Sequence, residues 1–157
     1  PDRHGFQLHA SPNHPKSRGN IKLKSSNIFD APAIKFNYLE HEDDMNQTIE
    51  CVKVARKILK QNSLSDYAGK EIGPGDNAIS DDAIIEYIRL KAETAYHPSC
   101  TLKMGLDKYS VVDQKLKIHG LEGIRVADAS VLPEITSGNL NAPVIMVAEK
   151  ASDIILN

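Results

Sequence analysis

"VADASVLPEITSGNLNAPVIMVAEKASD", Val126 to Asp153, changes character twice. Its head is a short apolar run leading into Asp128-Ala129-Ser130, its middle is a loop carrying Asn139 and Asn141, and its tail is apolar at helical spacing. Extended to "NAPVIMVAEKASDIIL", the tail opens on an asparagine cap candidate and an early proline, both suited to a helix start. Ile145, Ala148, Ala151 and Ile155 then share a face. A strand, a polar loop and a helix in this order collect polar groups and a free helix N-terminus at one edge.

Working back from that edge, "SVVD", "KLKIHG" and "IRVADAS" predict short strands, the last two joined by a turn containing Gly120 and Gly123. Ser80 is placed to cap a helix over "DDAIIEYIRLKAET", whose acidic first turn suits the positive end of the helix dipole and whose Ile84, Ile85 and Ile88 face a core. From Glu42 to Gln61, Met45, Ile49, Val52, Ala55 and Ile58/Leu59 recur three or four apart, which makes one apolar stripe. Nearest the start, "GFQLHA" and "NIKLKS" alternate as strands do, with the turn-rich "SPNHPKSRGN" between them, and predict a hairpin or meander. Strands interspersed with helices, without regular alternation, give an α+β class. No internal repeat or low-complexity segment appears.

At 157 residues and 41% hydrophobic composition, the chain is long enough for a core that needs no disulfides. Its 19 basic and 21 acidic residues nearly cancel, so it lacks the electrostatic footprint of a nucleic-acid or anionic-membrane binder. Two cysteines, Cys51 and Cys100, are too few for a disulfide scaffold and read as reduced. No apolar run reaches membrane-spanning length, and the opening "PDRHGFQLHA" has neither a signal core nor a starting methionine. The chain is therefore expected to begin inside a longer protein.

Several motifs carry less chemistry than they first promise. Gly73, Gly75 and Ala78 in "GPGDNA" fit the dinucleotide fingerprint nominally, yet "DYAGKEI" is a poor buried strand and Pro74 stiffens the turn, so the stretch reads as a surface loop. His4, His9 and His14 recur every five residues, a spacing that puts all three on one face of neither a helix nor a strand, and no metal site is expected. The glycosylation triplet at Asn46 falls inside a predicted helix. Cys100 has His97 close by in sequence, but a nucleophilic thiol needs a base within hydrogen-bond reach, which proximity in sequence does not establish. His97 itself precedes Pro98, whose ring restricts the backbone and helps to aim an imidazole from a loop.

Taken together, these blocks resemble the C-terminal part of the glucose-methanol-choline (GMC) family of flavoprotein oxidoreductases, nearest its choline dehydrogenase branch. The resemblance runs from "GFQLH" and "PKSRGNIKL" through "FNYLEHEDD", "DDAIIEYIR" and "AETAYHPSCTLKMG" to "VVDQKLKIHGLEGIRVADASVLPEITSGNLNAPVIMVAEKASDIIL". It implies that residues 1–95 are mainly substrate-binding domain. Residues 96–157 would be the active-site loop, return strand and C-terminal helix of the FAD domain. By the same resemblance, His97 is the active-site histidine acting on the substrate hydroxyl, and Asn139 hydrogen-bonds the substrate oxygen. Asp128 and Ala129 lie near the FAD pyrophosphate and ribityl chain, and Asn141, Ala142 and Pro143 near the flavin pyrimidine edge. The family often has glycine where Cys100 stands and cysteine where Leu102 stands. Cys100 thus reads as a packing variant whose backbone angles are open, because glycine adopts angles that cysteine resists.

The implied reaction is oxidation of a primary alcohol, choline to betaine aldehyde, by hydride transfer to flavin N5, in bacterial cytoplasm or peripheral to the cytoplasmic membrane face. The implied partners are a small alcohol and the N-terminal FAD-binding part of the same polypeptide, which this chain does not supply. The fragment alone is thus expected to be inactive and not to retain FAD. With no tryptophan and 5% aromatic residues, the chain does not evidently hold a cage for a quaternary ammonium, so an aliphatic or aromatic alcohol stays open as substrate. So does a different class of function, a catalytically silent binding or assembly module that keeps the fold.

Overall fold

The computed structural model describes residues 4–157. It contains β1 (Asn20–Lys22), β2 (Ala33–Lys35), α1 (Glu42–Leu59), α2 (Asp81–Lys91) and α3 (Asn141–Leu156), with 3-10 turns at Asn62–Leu64 and Ala129–Val131. Among the described residues, three α-helices and one antiparallel strand pair make the α+β class expected from the sequence. The chain divides into two compact units. One joins the described residues up to Ser17 to Asn37–Glu93, and the other joins Arg18–Phe36 to Thr94–Asn157.

The first unit is a helix pair. Ile49 of α1 and Ile84 and Ile88 of α2 are buried together, with Met45, Val52 and Ile85 packed around them. Ser80 caps α2 as predicted, its hydroxyl accepting the Ala83 N–H at 3.3 Å. The α1 stripe holds over its first turns and then rises to the surface, with Ile58 44% exposed. "GPGDNA" is a loop ahead of the capped helix, and Asn46 lies within α1, as expected.

Asp44 ties this unit's entry segment to α1. It is 1% exposed, and its two carboxylate oxygens accept the backbone N–H groups of Lys16 and Ser17, each at 2.7 Å. Burial pushes its carboxyl upward, but the Ser17 hydroxyl and those two N–H groups outweigh burial and hold it below the ordinary range. Because the folded pKa is depressed, the stability due to Asp44 is complete above the unfolded aspartate value of about 3.9 and is lost as pH falls through the folded value. Asp44→Asn is therefore expected to cost about 1.5–3 kcal/mol at neutral pH and to flatten the acid limb of a urea-midpoint-versus-pH curve. A variant whose acid limb matches that of the parent would remove Asp44 from this role.

The second unit corrects several strand expectations. β1 pairs with β2, in the register Asn20↔Lys35, Ile21↔Ile34 and Lys22↔Ala33, and "GFQLHA" forms no strand. Gly19 permits the tight crossing beside the pair, since a Cβ there would run into the carbonyl oxygens of Lys35 and Phe36. The segments read as "SVVD", "KLKIHG" and "IRVADAS" make single bridges, Met104↔Val112, Val112↔Ile118 and Lys117↔Arg125. A strand pair needs successive residues to find partners in the same neighbour, and here each pairing stops after one bridge.

The core of this unit gathers Val112, Leu116, Val131, Leu132, Leu140, Val147 and Ala151. Two readings of α3 change accordingly. Its N-cap position is Leu140, which makes no side-chain cap bond, and Asn141 is already helical. Its inward stripe is Val144, Val147, Ala151 and Ile154, whereas Ile145 and Ile155 are 53% and 57% exposed. Among the described residues no helix is long and apolar enough to cross a membrane.

Candidate active site

All the site residues inferred from the sequence fall in the second unit. Core side chains set the site's supports. Ala129 and Cys100 pack against the buried cluster, Val131 and Leu132 lie within it, and buried Leu140 sits between exposed Asn139 and exposed Asn141. Loop residues on either side of such anchors are held at the surface without a regular element beneath them.

The loop that carries His97 is bonded to the segment that carries Asp128 and Ala129. Cys100 N–H donates to the Ala129 carbonyl at 3.3 Å, Leu102 N–H to Ser130 at 3.0 Å and Met104 N–H to Val131 at 2.8 Å. Asp128 stands at the cap of the 3-10 turn and accepts the Ser130 N–H at 2.7 Å. The structure thus joins the His97 loop to Asp128 and Ala129. Among the described residues no hydrogen bond links His97 to Asn139. His97, Asp128, Asn139, Asn141 and Ala142 are exposed, and Ala129 and Pro143 are half-buried. Gly138, with φ of 92°, makes the turn that delivers Asn139 to the start of α3.

Cys100 does take a glycine-like conformation, with φ of 68°, and its thiol faces the Ser99 hydroxyl at 3.3 Å. Tyr96 is also left-handed, with φ of 59°, and its side chain is 78% exposed beside His97. Two non-glycine residues in this region of backbone space within five positions mark a constrained loop. The sequence reading missed Tyr96 and Thr94, whose hydroxyl accepts the Tyr96 N–H at 3.1 Å. A threonine two residues ahead of a turn position was the available signal. Both cysteines are free thiols.

The start of α3 has no side-chain cap and no acidic residue in its first turn. Asn141 and Ala142 offer N–H groups there, Pro143 has none, and the first intrahelical bond is Val144 N–H to Leu140 at 2.9 Å. Nearby in sequence, the buried hydroxyls of Ser130 and Thr136 have no hydrogen-bond partner among the described residues. Unpaired donors and an uncapped helix start are the chemistry an anionic dinucleotide cofactor requires, so these residues fit such a group.

The chain is similar to known proteins along most of its length. The family model described as GMC oxidoreductase matches residues 15–148, most of the chain, and the chain belongs to this family of FAD-dependent flavoproteins. It is 49% identical to an oxygen-dependent choline dehydrogenase of Staphylococcus xylosus over 99% of this chain and 28% of that protein. Among solved structures it is similar to pyridoxine 4-oxidase from Mesorbium loti, with a TM-score of 0.84 and 28% identity over 90% of this chain and 28% of that one. It is also similar to an FAD-dependent oxidoreductase from Chaetomium thermophilum, with a TM-score of 0.81 and 29% identity over 87% and 24% of the two chains. The chain spans little more than a quarter of the length of the curated relatives it matches.

Proposed function

We propose that this chain is the C-terminal part of an FAD-dependent alcohol dehydrogenase that oxidises choline to betaine aldehyde. On this reading residues up to 95 serve mainly substrate binding, and residues 96–157 complete the FAD domain. The observation that carries the proposal is the backbone ladder tying Cys100, Leu102 and Met104 to Ala129, Ser130 and Val131, which holds the histidine loop against the aspartate turn. Ile145 and Met146 near the start of α3 and Ile155 and Leu156 at its end are exposed apolar side chains, which suits a chain that packs within a larger protein.

FAD, when bound, supplies the hydride acceptor. An imidazole nitrogen of His97 takes the hydroxyl proton of the alcohol, and the Asn139 amide N–H donates to the oxygen as it becomes an alkoxide. The N–H groups of Asn141 and Ala142, at the positive end of α3, favour negative charge where the flavin pyrimidine edge is expected. When FAD is bound, Asp128 and Ala129 would lie near its pyrophosphate and ribityl chain. The exposed ring of Tyr96 adds an aromatic face beside His97 of the kind that attracts a quaternary ammonium.

Anaerobic mixing of the full-length, flavin-loaded protein with choline tests the reading. Choline is expected to bleach the visible flavin absorption, and benzyl alcohol to leave it unchanged. Bleaching by benzyl alcohol alone would replace the substrate, and bleaching by neither would sink the alcohol dehydrogenase assignment.

A further inference from the structure

We propose that Thr94 is a positioning residue for His97, acting through the backbone of Tyr96; the inference rests on the proposed role of His97. Tyr96 occupies the left-handed region at φ of 59°, which a residue with a Cβ resists relative to right-handed backbone. Something must hold it there. The Thr94 hydroxyl accepts the Tyr96 N–H at 3.1 Å, a bond that closes a tight side-chain-to-backbone turn immediately before His97. Downstream, Pro98 fixes its own φ and Cys100, also left-handed, is bonded through its N–H to Ala129 at 3.3 Å.

His97 therefore sits on a short arch fixed at both feet. The downstream foot is a backbone bond that any residue but proline supplies at position 100, whereas the upstream foot depends on one side chain. Without the Thr94 hydroxyl, Tyr96 is free to relax toward right-handed backbone, and the direction in which the chain delivers the imidazole changes with it. Proton transfer depends steeply on the placement of the base, so the loss falls on turnover rather than on folding or cofactor retention.

The test uses the full-length flavin-loaded enzyme and compares Thr94→Val, which keeps the shape and removes the acceptor, with Thr94→Ser, which restores it. Thr94→Val is expected to lower kcat by on the order of tenfold, with flavin content and melting temperature at the parental values. Thr94→Ser is expected to recover most of that rate. Parental kcat in Thr94→Val overturns the proposal. So does a loss of rate that tracks lost flavin or a lowered melting temperature and is not rescued by serine, because that pattern marks a structural role. His97→Ala, run in parallel, separates the failures. If it is fully active, the reading of His97 falls and the Thr94 proposal with it. If it is inactive while Thr94→Val is unimpaired, only the Thr94 proposal falls.

Discussion

Replacing His97 with alanine in the full-length flavoprotein is expected to lower kcat by about 10²–10⁴-fold while leaving flavin bound, the range that removal of a positioned general base produces. Retention of flavin is expected because His97 stands exposed on its loop and supplies no core packing. The anchors of that loop are the backbone N–H groups of Cys100, Leu102 and Met104, which alanine at position 97 does not touch. His97→Gln keeps a hydrogen-bonding group but cannot take a proton near neutral pH, so it should fall close to alanine in rate. Steady-state kinetics with the flavin spectrum as control measure both. A fully active His97→Ala enzyme would return Cys100 or another group to consideration as base, and flavin loss in step with rate would make His97 a cofactor anchor instead.

What the sequence allowed one to read depended on how local the determining contacts are. α2 was legible because its cap, its acidic first turn and its isoleucine stripe all lie within a dozen residues, and Ser80, Ile84 and Ile88 do as their spacing predicts. α3 was legible as a helix but not in its rotation. Val144, Ile145, Met146 and Val147 are consecutive apolar residues, so the pattern names no single buried face, and the structure buries Val147 where the sequence pointed to Ile145. The strands were the least legible, since pairing Ile21 with Ile34 rather than with the first segment is decided between residues far apart in the chain. His97 stands out through the company of Pro98 and through family resemblance; Ala129, whose carbonyl anchors the His97 loop through the Cys100 N–H, is remote in sequence, which no spacing rule reaches. Position 100 adopts a glycine-like backbone, as the family's frequent glycine there implies, and cysteine bears that conformation with its N–H bonded and its side chain packed on the core.

Arg56→Ala is expected to destabilise the chain by about 2–4 kcal/mol, the largest stability effect among surface-reaching side chains of the helix pair. The Arg56 guanidinium sends Nε to both Glu71 carboxylate oxygens at 3.0 and 3.2 Å and Nη2 to Oε1 at 2.9 Å. The same group also donates to the carbonyl oxygens of Ala78 at 2.7 Å and Gly75 at 3.1 Å. Glu71 in turn accepts the Gly75 N–H at 3.2 Å, so one fork organises the whole loop that leads to the Ser80 cap. The pair is only about a fifth exposed, with side-chain values of 19% and 21%, so water does not readily replace the lost donors. Alanine would leave a carboxylate and two carbonyls short of partners at once, while lysine, a point charge without the planar fork, would recover part of the loss. A double-mutant cycle with Glu71→Gln, read from urea midpoints, isolates the ion pair from the two carbonyl bonds. If Arg56→Ala unfolds within about 0.5 kcal/mol of the parent, as an ordinary surface substitution would, the loop is held by its own turns and Arg56 merely lies across it.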